Sequence, residues 1–389
     1  MTLYLDINHK SLNKQGEELC GDHVEIVTAQ GKTVLVLSDG LGSGVKANIL
    51  ATLTSKIATT MLKNGASLRD TVETILNTLP KCQVRQLAYS TFTIVIIDDC
   101  QHAYIAECDN PALFFYRHGR NVPLQRKEIK LSEKKILESH IQLQEGDMLS
   151  VVSDGAVHAG VGAMLNLGWA WEDINEYLKN LHVVNKTASQ LNGNFLGVCN
   201  NLYNGTPGDD TTILTIKATR PKEVDLFTGP PEDVRLDKKF TEKMTENNGR
   251  KKVICGGTTA IIASRELKRE IEVDNDTIQR DIPPIAYIEG FDLVTEGVLT
   301  LGKVLDRIRY YNMDAYGYEN TSYQYNGVDL LTKVLMEECT HVYLHIGKAV
   351  NPAHQNPDFP MTYNIKFKIL ESLIAELEKC GKQVTRIYY

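Results

Sequence analysis

The sequence predicts an α+β protein in two parts: antiparallel sheets with helices outside them over residues 1–218, then a smaller α/β domain. Three observations carry this. The apolar, β-branched runs of the first half come in blocks, with two helical segments side by side, which disfavours the strict strand–helix alternation of a doubly wound sheet. A polar, proline-bearing stretch follows, from Thr219-Arg220-Pro221-Lys222 to Gly229-Pro230-Pro231-Glu232-Asp233, and reads as a linker over residues 219–237. Beyond it, strands and helices alternate as a mostly parallel sheet requires.

Strands are expected at His23–Ala29, Thr33–Ser38, Tyr89–Ile97, His102–Glu107, Met148–Ser153 and Thr211–Ala218, each stopping at Asp, Asn or Gly. The segment Val45–Lys63 reads as an amphipathic helix with Ile49, Leu50, Leu53, Ile57 and Met61 on its apolar side. A second helix covers Leu68–Leu79, entered through Ser67 as N-cap. Two more fit Trp171–Leu181 and Thr187–Tyr203. In the second part, strands are expected at Lys252–Cys255, Ile285–Glu289, His341–Ile346 and Val384–Tyr389. Helices are expected from Thr258, at Val294–Arg309, at Val328–Glu338 and at Tyr363–Lys379, with a Tyr- and Asn-rich surface loop over Tyr310–Tyr325.

Composition narrows the function. Among 389 residues, 42% hydrophobic and 23% charged content is ordinary for soluble domains, and the length suits two to three cores. A net charge of −7 with no basic stretch argues against nucleic-acid binding. Eight cysteines are scattered without a CxxC pair, as expected for reduced, buried thiols in a cytoplasmic protein. No signal peptide is expected at Met1-Thr2-Leu3-Tyr4, and no apolar run approaches membrane-spanning length, so no membrane association is expected.

The chemistry lies in the aspartates. Asp39 and Asp154 each end an apolar run and precede a glycine, in Ser38-Asp39-Gly40 and Ser153-Asp154-Gly155. Asp22 follows Gly21, and Asp209 opens Asp209-Asp210-Thr211. A strand fixes the direction of such a carboxylate, and glycine lets backbone approach whatever it holds. Converging carboxylates repel one another unless a divalent cation sits among them. An all-oxygen ligand set suits Mg²⁺ or Mn²⁺ rather than zinc. One Asp-Gly pair alone is ordinary turn chemistry; the ordered set is not.

That set, with Leu37-Ser38-Asp39-Gly40-Leu41-Gly42-Ser43-Gly44 and Tyr89-Ser90-Thr91-Phe92-Thr93, resembles the metal-dependent serine/threonine protein phosphatases of type 2C. The bacterial stage II sporulation protein E-like branch is the nearest likeness, over residues 1–218. The resemblance implies a four-layer α-β-β-α sandwich, two antiparallel sheets flanked by helices, followed here by a smaller three-layer α/β domain. It implies two Mn²⁺ or Mg²⁺ ions bridged by Asp39, with the Gly40 carbonyl, Asp22, Asp154 and Asp209 completing the site. Asp39, Asp154 and Asp209 would then carry hydrolysis of a phosphoserine or phosphothreonine ester through metal-bound water, and Asp210 would support them. Leu41 stands where better-known relatives carry a histidine general acid, and His23, beside Asp22, points to the other face of its strand. By analogy the substrate is a phosphorylated protein in bacterial signalling, such as an anti-sigma factor antagonist; a homodimer is allowed for.

Residues 238–389 say less, and a regulatory or ligand-binding role is expected of them. Val253-Ile254-Cys255-Gly256-Gly257-Thr258-Thr259 runs from a strand through two glycines into a helix, so Gly256, Gly257, Thr258 and Thr259 form a candidate anion site. Glu296-Gly297 belongs to the same sheet edge, where α/β ligand sites occur. His341, His345 and His354 surround one strand, and structural roles are expected for them. The competing functional reading is a non-catalytic phosphatase-fold scaffold whose second domain senses a nucleotide or phosphorylated metabolite.

Overall fold

The computed structural model describes residues 3–78, 90–131, 134–184, 187–313, 323–349 and 365–389. The chain divides into two compact units, Met1–Arg220 and Pro221–Tyr389.

The first unit begins with β1 (Tyr4–Leu12), β2 (Asp22–Ala29), β3 (Lys32–Gly40), α1 (Gly44–Lys63) and α2 (Leu68–Thr78). It continues through β4 (Ser90–Asp98), β5 (His102–Cys108), β6 (Phe114–Arg117), β7 (Arg120–Asn121), β8 (Lys127–Leu131), β9 (Lys134–Gln142) and β10 (Met148–Val152). It closes with α3 (Asp154–Val157), α4 (Trp171–Val184), α5 (Ala188–Leu202) and β11 (Thr211–Thr219). Among the described residues these strands form two antiparallel sheets, ordered β2-β3-β4-β5-β9-β8 and β1-β11-β10-β6-β7. Period-two alternation decides the packing. Leu35, Leu37, Val95 and Ile105 of one sheet share a core with Leu149, Val151, Leu214 and Ile216 of the other. Val34, Val36, Phe92 and Ile94 turn to the opposite face and meet Ala58, Leu62, Val72 and Ile75 of α1 and α2. On the second sheet, α5 lies against β1 and β11. Its N-terminus is fixed by a Thr187–Gln190 capping box and by Asp6, which accepts from the Ala188 N–H at 2.8 Å.

Two expectations fail here. β1 was not foreseen, because Asp6, Asn8 and Lys10 interrupt it with polar groups. Two of those groups are used by α5: Asp6 at its cap, and the Asn8 carbonyl, which accepts from Asn192 Nδ2 at 2.8 Å. The apolar side of α1 is only partly as expected: Leu50 and Ile57 pack against the core, but Ile49 and Leu53 do not. The helix buries Ala47, Ala51, Thr54, Ser55, Ala58, Thr59 and Leu62, while Val45, Ile49 and Leu53 are exposed. Small side chains allow a closer helix–sheet approach than leucine or isoleucine, so close contact as well as hydrophobicity selects the buried face.

The second unit holds β12 (Glu223–Thr228), α6 (Asp237–Met244), β13 (Lys251–Cys255), α7 (Gly257–Leu267), β14 (Glu272–Asp274), β15 (Ile285–Tyr287) and β16 (Leu293–Thr295). After these come α8 (Val298–Met313), α9 (Gly327–Lys333), β17 (His341–Ile346), α10 (Ile365–Lys379) and β18 (Gln383–Tyr388). One sheet, ordered β14-β15-β16-β13-β12-β17-β18 among the described residues, is parallel from β16 to β18 and antiparallel at β14 and β15. α8, α9 and α10 cover one face, and α6 and α7 belong to a second core around Phe227 and Ile254.

The expected linker 219–237 is corrected by this sheet: residues 223–228 are one of its interior strands. Asp225 disguised it. That aspartate is buried mid-strand and paired with Lys252 Nζ at 2.8 Å and His345 Nε2 at 3.0 Å, so the run does not read as apolar. The helix expected at Val294–Arg309 is likewise β16 followed by α8, separated by Glu296-Gly297. The helix expected at Val328–Glu338 is α9 plus a π turn over Val334–Glu338. His345 is a structural histidine, its other nitrogen 3.0 Å from the Tyr389 hydroxyl, and His341 contacts Thr340 Oγ1 at 2.7 Å. His354 lies outside the described residues. No helix among the described residues is long and apolar enough to cross a membrane.

Candidate metal centre

The ends of β2, β3, β10 and β11 bring the aspartates together. Asp22 begins β2, Asp39 lies one residue from the end of β3, and the antiparallel register sets them directly opposite each other. Like charges at such a cross-strand pair are destabilising. Asp154 follows β10, and Asp209 lies two residues before β11, the antiparallel neighbour of β10. Ser153 and Thr212 lock these ends: the Ser153 N–H donates to the Thr212 carbonyl at 3.0 Å, and the Thr212 N–H donates to Ser153 Oγ at 2.8 Å.

The electrostatics follow from this convergence. Burial, first, and then the charges of Asp22 and Asp154 hold the Asp39 carboxyl far above the usual carboxylate range, with Asp209 adding to the effect. Burial also raises Asp22, where the Ser153 and Thr212 hydroxyls oppose the rise and the charges of Asp210 and Asp154 add to it. Asp209 is raised by burial and by Asp154, with Lys14 pulling the other way. Neither buried oxygen of Asp22 has a hydrogen-bond partner of sound geometry. Asp210 accepts from the Lys14 N–H at 2.9 Å through Oδ1, while its buried Oδ2 has no partner. Orphaned, mutually repelling carboxylate oxygens in one place fit a divalent cation, and the donors are hard oxygens.

The structure adds one residue. His158 caps the short helix α3, four residues after Asp154, with Nδ1 3.9 Å from an oxygen of each of Asp154 and Asp209. Ligand atoms of Asp154, His158 and Asp209 all lie within 4.8 Å of one another. The signal was the Asp154–His158 spacing of four, which places both on one side of a helical turn. His23 faces elsewhere, its Nδ1 2.8 Å from Ser55 Oγ.

Gly40 ties α1 to this centre. It is buried, its N–H donates to the Gly21 carbonyl at 3.1 Å, and a Cβ there would overlap the Ala47 carbonyl. The backbone of α1 therefore rests on the residue following Asp39. Gly40→Ala is expected to push α1 off β3 and destabilise the first unit by about 1–3 kcal/mol. Urea unfolding checks this; a midpoint equal to wild type would contradict the close approach.

Residues 29–219 match the family model described as Stage II sporulation protein E (SpoIIE). No curated protein matches the chain. Among solved structures, the chain is similar to the PP2C phosphatase domain, with a fragment of the regulatory domain, of the cell fate determinant SpoIIE from Bacillus subtilis. There the identity is 19%, the match covers 56% of this chain and 63% of that chain, and the TM-score is 0.47. The match thus spans less than two-thirds of the Bacillus chain. It is also similar to the S. agalactiae serine/threonine phosphatase, with 15% identity, 55% and 99% coverage and a TM-score of 0.41. For the SiaA-PP2C domain of Pseudomonas aeruginosa the values are 16%, 54% and 85%, and 0.43.

Proposed function

Because residues 29–219 match the Stage II sporulation protein E (SpoIIE) family model, we propose that this chain hydrolyses phosphoserine or phosphothreonine on a protein substrate. The observation that carries the reading is the meeting of Asp22, Asp39, Asp154 and Asp209, with both Asp22 oxygens buried and unpartnered. Asp22, Asp39, Asp154 and Asp209, with the Gly40 carbonyl, would hold two Mn²⁺ or Mg²⁺ ions. When bound, such ions lower the pKa of water and neutralise phosphate charge. The chain's own contribution is to hold its ligands still. Ser90 Oγ donates to the Asp39 carbonyl at 2.9 Å and lies 2.7 Å from Ser38 Oγ, fixing the end of β3. His158 stands on the open side, about half exposed, with Nδ1 3.9 Å from an oxygen of each of Asp154 and Asp209.

In this reading residues 1–218 are the phosphatase domain, a four-layer α-β-β-α sandwich, and the three-layer second unit regulates it or recruits substrate. The chain works in the cytoplasm in bacterial signalling, and its substrate is of the anti-sigma factor antagonist kind. The test is hydrolysis of para-nitrophenyl phosphate and of a phosphothreonine peptide, with Mn²⁺ and with EDTA. Turnover that requires the metal supports the reading; equal turnover in EDTA contradicts it.

A further inference from the structure

Each of four adjacent parallel strands in the second unit runs into a glycine at its carboxyl end. β12 ends at Thr228 before Gly229, β13 at Cys255 before Gly256, β16 at Thr295 before Glu296-Gly297, and β17 at Ile346 before Gly347. The registers Phe227↔Ile254, Cys255↔Thr295 and Thr228↔Ile346 bring these ends to one edge. From β12 the chain proceeds to β13 and β16 on one side and returns to β17 and β18 on the other. Ligands of open α/β sheets bind outside the carboxyl ends of the strands, and the ends of β13 and β16 lie next to that reversal.

Two helices start there, and they touch. Gly256 precedes α7 at φ 146°, a backbone region that favours glycine, and no side chain caps the helix. Gly297 opens α8, and its Cβ position is 3.3 Å from the Gly256 Cα. Gly257 and Thr258 are exposed, so the first turn of α7 presents free N–H groups and the positive end of its dipole to solvent.

Each helix carries a threonine three residues past its glycine: Thr259, fully buried, and Thr300, 1% exposed. Neither hydroxyl has a hydrogen-bond partner, and Oε2 of Glu296, between the two strand-and-helix junctions, is also buried without one. Thr259 Oγ1 points back at the capping glycine, 3.1 Å from the Gly256 Cβ position. Three orphaned polar atoms at one sheet edge are costly, since each forfeits the hydrogen bonds it made in water. A cation completes the edge: Lys366 Nζ lies against Gly229 and donates to the Gly347 carbonyl at 2.6 Å.

We propose that this edge binds a phosphate ester of a hydroxyl-bearing skeleton, a nucleotide or sugar phosphate. The phosphate lies on the N-terminus of α7 at Gly256, Gly257, Thr258 and Thr259, and Glu296 accepts from a ligand hydroxyl. The helix N–H groups and Thr259 account for the anion; Glu296 repels a bare phosphate and so selects one that carries a diol.

The test is calorimetry of the full chain in EDTA, which keeps divalent ions off the first unit. The probes are AMP, ribose 5-phosphate, adenosine and inorganic phosphate. AMP or ribose 5-phosphate is expected to bind at least about tenfold tighter than adenosine or inorganic phosphate, as a charge-assisted contact joined to a hydroxyl contact implies. Equal binding of AMP and ribose 5-phosphate identifies a sugar phosphate site, and tighter AMP a nucleotide site. Glu296→Gln should weaken these two and, by removing the repulsion, bind inorganic phosphate at least as tightly as wild type. Thr259→Val should weaken every phosphate probe while melting no lower than wild type, because it removes an orphaned hydroxyl. The proposal is overturned if none of the probes binds at millimolar concentration, or if both variants bind as wild type does.

Discussion

Asp39→Asn is expected to reduce metal-dependent hydrolysis by roughly 10²–10³-fold or more, the scale on which loss of a single well-placed electrostatic group acts. Asp39 is the carboxylate that the other three surround: Asp22 faces it across the ladder, and Asp154 and Asp209 add their charges. Asparagine keeps the size and removes the charge, so β3 should persist. Removing one of four mutually repelling carboxylates should, if anything, raise the stability of the metal-free domain while abolishing turnover. That opposition of signs distinguishes a functional carboxylate from a turn residue. A variant that keeps wild-type turnover in saturating Mn²⁺ would remove Asp39 from the mechanism.

Asp225→Asn is the largest expected effect on stability, about 3–5 kcal/mol lost from the second unit, because breaking a buried ion pair strands its partner. Lys252 Nζ sits 2.8 Å from Asp225 and is itself buried, with His345 Nε2 at 3.0 Å, Asn248 Nδ2 at 3.0 Å and Arg250 at 3.3 Å around the same carboxylate. Burial alone would raise the Asp225 pKa; hydrogen bonds from His345, Lys252 and Asn248 override it and hold the group well below the usual range. A carboxylate depressed by folding contributes its stabilisation above the unfolded value of about 3.9 and loses it as pH falls toward the folded value. The wild-type second unit should therefore weaken in acid below about pH 4, and Asp225→Asn should flatten that limb. Urea unfolding at pH 7 and in acid, followed by Tyr fluorescence and circular dichroism, measures both; an unchanged acid limb would contradict the pairing.

The convergence of Asp22, Asp39, Asp154 and Asp209 was legible because each stands at the end of a strand, where direction is fixed by period and position by register. His158 was not, since it lies outside every Asp-Gly motif and acts only once α3 turns. Patterns failed where polar atoms do structural work. β1 spends Asp6 and Asn8 on α5, and β12 hides Asp225 in an ion pair, so neither looks like a strand. α1 misled in the opposite direction, because three of its apolar residues, Val45, Ile49 and Leu53, are exposed while small residues share the buried face with Leu62. Apolar periodicity marks a helix; it does not say which face a crowded neighbour will admit.

The most direct measurement is an anomalous difference map at the manganese edge from crystals of the full chain soaked in Mn²⁺. The account predicts density among Asp22, Asp39, Asp154 and Asp209, within about 2–2.5 Å of their oxygens, and its disappearance in Asp39→Asn crystals. Well-ordered carboxylates without a manganese peak between them, or manganese bound only elsewhere on the chain, would contradict it.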